Sequence, residues 1–98
     1  MVVIVLESVP ITLRGELSRW LIEPTSGVFV GHVSALVREK LWMKVCSKVA
    51  GGGALLIWST NNEQHFKMKL YGRTKRQIVD FDGLQLVCIP NKVSGMGT

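Results

Sequence analysis

The chain has only two cysteines and few acidic residues, and it lacks long apolar runs. Its two cysteines, Cys46 and Cys88, are far apart and have no C-x-x-C companion, which argues against a disulfide framework and a zinc site. Both read as reduced core residues. No stretch approaches the ~20 apolar residues of a membrane span. The N-terminus lacks the basic flank and longer apolar stretch of a signal peptide. A cytoplasmic address with no membrane association is therefore expected. There is no internal repeat, low-complexity tract or linker. The serines form no nucleophile-elbow pattern, so acyl hydrolysis finds no support. Acids are few: seven Asp/Glu against twelve Lys/Arg leave a net charge of +5 and a pI near 9.6. The excess favours an anionic partner, nucleic acid first and acidic lipid or protein second. A merely soluble basic protein would carry the same charge.

At 98 residues the chain is one domain, long enough to bury roughly two thirds of its unfolded surface. Yet 47% of its residues are apolar, with positive mean hydropathy. That is rich for so small a monomer and predicts that a second copy covers part of the surface, as a homodimer.

The organising stretch is residues 2–23. Val2 to Leu6 reads as a buried strand ending at Glu7. Ser8 and Pro10 predict a helix start, by hydroxyl capping and by proline's tolerance of the first turn. Leu13, Leu17, Trp20 and Leu21 continue at helical spacing, and Pro24 closes the helix. A carboxylate at a strand end with Arg14 nearby can bind a metal, bind a phosphate or pair its own charges. Val28–Val30 predicts one short strand between the helices, because residues 24–32 are too few for a comfortable hairpin.

A second helix is predicted from about Val33 to Val49, with Val33, Val37, Leu41 and Val45 stacked. Lys40, Lys44 and Lys48 stripe another face, with Arg38 on the same helix; a solvated face is the ordinary meaning of such a stripe. Gly51-Gly52-Gly53 lacks the lysine of a phosphate loop and reads as a flexible connector. Ala54 to Ser59 reads as a buried strand, followed by turn chemistry at Thr60–Glu63. From His65 the alternation places Phe66, Met68 and Leu70 on one face and His65, Lys67, Lys69 and Tyr71 on the other. One face of the sheet is thus wet and basic, or meets a partner. A polar loop then carries Arg73, Lys75, Arg76, Asp80 and Asp82, before strand character returns at Leu84–Ile89.

The predicted fold class is α+β: a ferredoxin-like sandwich, one mainly antiparallel sheet with two helices on one face. Residues 1–77 form its core. Residues 78–90 form a C-terminal docking strand available for intersubunit pairing, and 91–98 a frayed tail. His32 and His65 have no ligand-spaced companions and read as surface or capping residues. Trp20, Trp42 and Trp58 read as core or dimer-interface residues. Glu7 is the candidate catalytic and metal residue: two copies facing across a two-fold axis could share Mg²⁺. The competing reading is a Glu7–Arg14 ion pair or a helix N-terminal acid. Arg14, Lys75, Arg76 and Arg38 are the candidate nucleic-acid contacts, suited to phosphate rather than to base edges.

The order VVIVLESVP–LRGELSRWLIE, GVFVGHVSALVREKLW, ALLIWSTNNEQHF and VDFDGLQLV resembles the CRISPR-associated "Cas two" proteins of subtype I-E over residues 1–89. The resemblance implies a ferredoxin-like homodimer that bridges CRISPR integrase dimers. There it binds duplex DNA backbone during spacer acquisition, as a scaffold and ruler. By the same resemblance Arg14, Lys75 and Arg76 would contact phosphate, and residues 78–90 would dock on the integrase subunit. Thr12 stands where a family member can have a second arginine. Lys75 replaces an arginine, keeping charge but losing the planar fork. Many relatives in the wider family are metal-dependent endonucleases for RNA or double-stranded DNA, with an aspartate where this chain has Glu7. A Mg²⁺-dependent endonuclease is therefore the alternative function. A toxin-like RNA-cutting module is a more distant third.

Overall fold

The computed structural model describes residues 1–49, 52–72, 77–81 and 84–88. In chain order the elements are β1 (Val2–Leu6), α1 (Ile11–Leu17), β2 (Ile22–Thr25), β3 (Val28–Gly31), α2 (Ala35–Lys48), β4 (Gly53–Ser59), β5 (Phe66–Gly72), β6 (Gln77–Phe81) and β7 (Leu84–Cys88). The first five strands make one antiparallel sheet in the order β2-β3-β1-β4-β5, and β6 pairs with β7 separately. This is an α+β, ferredoxin-like arrangement.

The apolar run of β1 takes the central place because both its edges must be paired. Ile4 lies opposite Phe29 on one side and Leu56 on the other, and all three are fully buried. Leu13 and Leu17 of α1 and Leu41 and Val45 of α2 close over them in one cluster, so both helices cover the same face. The helix begins two residues later than expected, so Val37, Leu41 and Val45 stack on α2, while Val33, just before its cap, is half-buried against the same core. Ser34 caps α2, its hydroxyl accepting the Val37 N–H at 3.2 Å.

Several expectations are corrected. The first helix stops at Leu17 instead of running to Pro24: Arg19 and Trp20 donate to Glu16 and Leu17 in tightening turns. Leu21 is still buried; Trp20 is 54% exposed, which excludes the core half of its core or dimer-interface reading. The early stop frees Ile22–Thr25 to form β2, so a hairpin, not a single strand, joins the helices. Pro24 sits on an edge strand, where a missing N–H costs no ladder bond. Gly27, at φ +82°, makes the short turn possible; a Cβ there would stand 2.5 Å from the Leu6 carbonyl oxygen. Pro10 caps α1, and the expected hydroxyl cap from Ser8 is absent. Of the expected glycine connector, Gly51 lies outside the described residues, while Gly52 and Gly53 are buried: Gly53 opens β4, and Gly52 lies against Ser8. The polar loop contains strand β6, and β6 and β7 form a hairpin in which Val79 is opposite Leu86. His65 adopts φ +69° in the turn that precedes β5. The 91–98 tail lies outside the described residues.

The register also places the two faces of β5 relative to the helices. Lys69 lies opposite Leu56, which belongs to the helix-covered core, and Lys67 lies opposite Trp58. The basic row is therefore on the helix side, beyond the flank of α2. Phe66, Met68 and Leu70 share the open side with Leu55, Ile57, Val3, Val5, Val28 and Val30. The open face of the sheet is thus apolar, with a shallow hollow at Met1, Val3, Ile57 and Phe66.

Candidate nucleic-acid interface

Helix α1 carries Arg14 on the side turned toward the β2–β3 hairpin. Its Nε–H donates to both Glu23 carboxylate oxygens, at 3.1 and 3.2 Å. Glu23 is itself held by the Gly27 N–H, which donates to Oε2 at 2.9 Å. The Arg14 side chain keeps 40% exposure and Glu23 only 19%. Among the described residues the two terminal amino groups of Arg14 have no protein acceptor. The guanidinium is therefore oriented by one nitrogen and presents the others outward.

Arg38 is placed differently. Its guanidinium lies 4.6 Å from the Trp58 ring centre, its Nε donates to Glu39 at 3.1 Å, and its side chain is 18% exposed. Lys69 joins this group, 3.6 Å from Glu39 and 5.6 Å from the same ring. A cation spread over an indole and paired with a carboxylate stabilises the α2–β4–β5 flank. Burial also pushes the Cys46 thiol up, with Lys69 opposing the shift.

The lysine stripe of α2 is only partly a solvated face. Lys44 pairs with Glu16 of α1 at 3.0 Å and Lys48 pairs with the other oxygen, while Lys40 stays exposed. Hydrogen bonds from Lys48 and Lys44 hold the Glu16 carboxyl below the usual glutamate range.

Glu7, at the end of β1, does not meet Arg14. Its Oε1 accepts the Gly53 N–H at 3.0 Å and its own N–H donates to the Gly53 carbonyl at 3.1 Å. The ion pair expected with Arg14 is formed by Glu23 instead, because the hairpin folds a nearer carboxylate across α1.

The model of the CRISPR-associated protein (Cas_Cas2CT1978) family matches residues 1–86 of the chain. The chain belongs to that family. As a Cas2-type protein it carries Glu7 at the strand end singled out from sequence, and the fit of a divalent cation there can be judged. The carboxylate is exposed, and one oxygen is already bonded to a backbone N–H. Among the described residues no three His, Cys, Asp or Glu side chains cluster as ligands. The described residues of a single chain of this Cas2-type protein therefore form no all-protein Mg²⁺ cage around Glu7.

Of the sequence-predicted contacts, Arg14 and Arg38 occupy separate flanks, and Lys75 and Arg76 lie outside the described residues. The residue missed from sequence is Glu23. Its signal was a carboxylate just ahead of Pro24-Thr25-Ser26-Gly27, meaningful only once that segment is recognised as a hairpin. No helix is long and apolar enough to cross a membrane among the described residues.

Proposed function

We propose that this chain is the non-catalytic scaffold subunit of a subtype I-E CRISPR spacer-acquisition complex. In this reading it is a homodimer that binds duplex DNA through the phosphate backbone and bridges integrase subunits. The observation that carries the reading is Arg14: an exposed guanidinium, oriented through Nε alone, on a chain of net charge +5. Such a group suits phosphate oxygens, which position a duplex without reading its sequence.

The apolar open face of the sheet supports the dimer. Val3, Val5, Val28, Val30, Leu55 and Ile57 lie on the side the helices leave uncovered, and a second copy of that face would bury them. Pairing two copies doubles the charge presented to a duplex. Lys75 and Arg76 add phosphate contacts in this reading, and residues 78–90 dock on the integrase. Leu84 and Leu86 of β7, both exposed, offer apolar contact for that docking.

Binding of this kind is driven by counterion release. With six or more phosphates contacted per dimer, affinity falls by roughly three decades between low and moderate salt, with little sequence preference. Mobility-shift titrations with unrelated duplexes across a salt series test this; a flat salt profile contradicts it. The alternative is a Mg²⁺-dependent endonuclease in which Glu7 carboxylates from two copies share the cation, each through the oxygen not bonded to Gly53.

A further inference from the structure

We propose that Glu23 is a positioning residue for Arg14, a carboxylate that holds the guanidinium in the orientation in which it meets phosphate. The inference rests on the duplex-binding reading above and deepens it. Glu23 spends both oxygens on one nitrogen, Nε, at 3.1 and 3.2 Å. A fork-to-fork pair would instead engage two nitrogens in parallel and leave less of the guanidinium for a ligand. The clamp is rigid for its size. Its Oε2 accepts the Gly27 N–H at 2.9 Å, and the Gly27 carbonyl accepts the Leu6 N–H at 2.7 Å. Arg14 is thereby tied through Glu23 and the hairpin turn to the end of β1. A long side chain ordered before binding loses less freedom when it grips a phosphate.

The sign of one substitution separates this role from simple charge balance. A carboxylate near a phosphate site repels the duplex, so deleting it should tighten binding if long-range charge alone decides. A positioning role demands the reverse. Glu23→Ala is expected to weaken duplex binding about tenfold and lower the salt slope by about one per chain, as if Arg14 were lost. Glu23→Gln keeps an oxygen for the Nε–H and is expected to recover part of the affinity. In an Arg14→Ala background Glu23→Ala should cause no further loss.

The experiment is a salt-series titration of these variants and the wild type against one labelled duplex. The Arg14 Nε–H resonance is followed by NMR in the same proteins. Slow exchange of that proton in wild type, lost together with affinity in Glu23→Ala, supports the proposal. Wild-type binding that is salt-sensitive, with Glu23→Ala binding as tightly or more tightly, overturns the positioning role and leaves the functional reading standing. A wild type without salt-sensitive binding overturns the functional reading and this inference with it.

Discussion

Glu7 and Gly53, 46 residues apart, are joined by two hydrogen bonds: the Gly53 N–H to the Glu7 carboxylate at 3.0 Å and the Glu7 N–H to the Gly53 carbonyl at 3.1 Å. The carboxylate extends the β1–β4 ladder past its last residue pair, Leu6 and Ala54. Its local role is to fix the start of β4. Glu7→Ala should therefore cost about 1 kcal/mol of stability, the worth of one hydrogen bond, and leave the proposed dimer intact. Urea unfolding and light scattering check both; dissociation of the dimer would mean that Glu7 belongs to the subunit contact.

Glu16 joins the two helices through Lys44 and Lys48. A carboxyl held below its unfolded-state value contributes stability that is present above that value and is lost as pH falls through the folded one. Thermal unfolding of wild type and Glu16→Gln should thus differ near neutral pH and converge progressively below about pH 5. A difference that persists undiminished in acid would assign the effect to packing.

Gln85 of β7 reaches the outer edge of β5: its side-chain oxygen accepts the Met68 N–H at 2.7 Å and its amide donates to the Met68 carbonyl at 3.3 Å. Gln64 returns the contact, bonding the Gln85 backbone N–H and carbonyl at 2.7 and 2.6 Å. Side-chain amides thus stand in for a strand ladder at an otherwise open edge. Gln85→Ala should speed hydrogen exchange at Met68 at least tenfold while Ile4 and Leu56 keep their protection, since one lost bond pair is about a kcal/mol or more. Unchanged exchange at Met68 would place the hairpin elsewhere in solution.

Truncation after Asp82 removes β7 and with it the proposed docking surface. In the proposed assembly the shortened chain should still form the dimer but no longer co-purify with the integrase subunit. Retained co-purification would move the docking site off residues 78–90.

The fold was legible where one period governed a whole element. The continuous run of β1 named its residues, and the Val33–Val45 stack and the alternation of β5 each began a residue or two early, at Val33 and His65. The first helix misled because Leu13, Leu17 and Leu21 are buried by the helix and the turn after it, so burial continued where helical geometry had ended. β2 was hidden because Ile22 is 71% exposed and Pro24 is depleted in strands. The basic face of β5 was legible as a face, but not which side of the sheet it lies on. Side assignment depends on the Leu56–Lys69 register, which alternation alone does not contain. The candidate site was legible in part: Arg14 and Glu7 were singled out, but their partners Glu23 and Gly53 come from a turn and a distant strand.

The central claim is that this Cas2-type chain grips duplex DNA by its phosphates. The most direct test incubates wild type, Arg14→Glu and Glu7→Ala with one labelled duplex in Mg²⁺, and resolves each sample on native and denaturing gels across a salt series. The account predicts an intact duplex throughout, an equal salt-sensitive shift for wild type and Glu7→Ala, and a weaker shift for Arg14→Glu. Cleavage by wild type that vanishes in Glu7→Ala would contradict it.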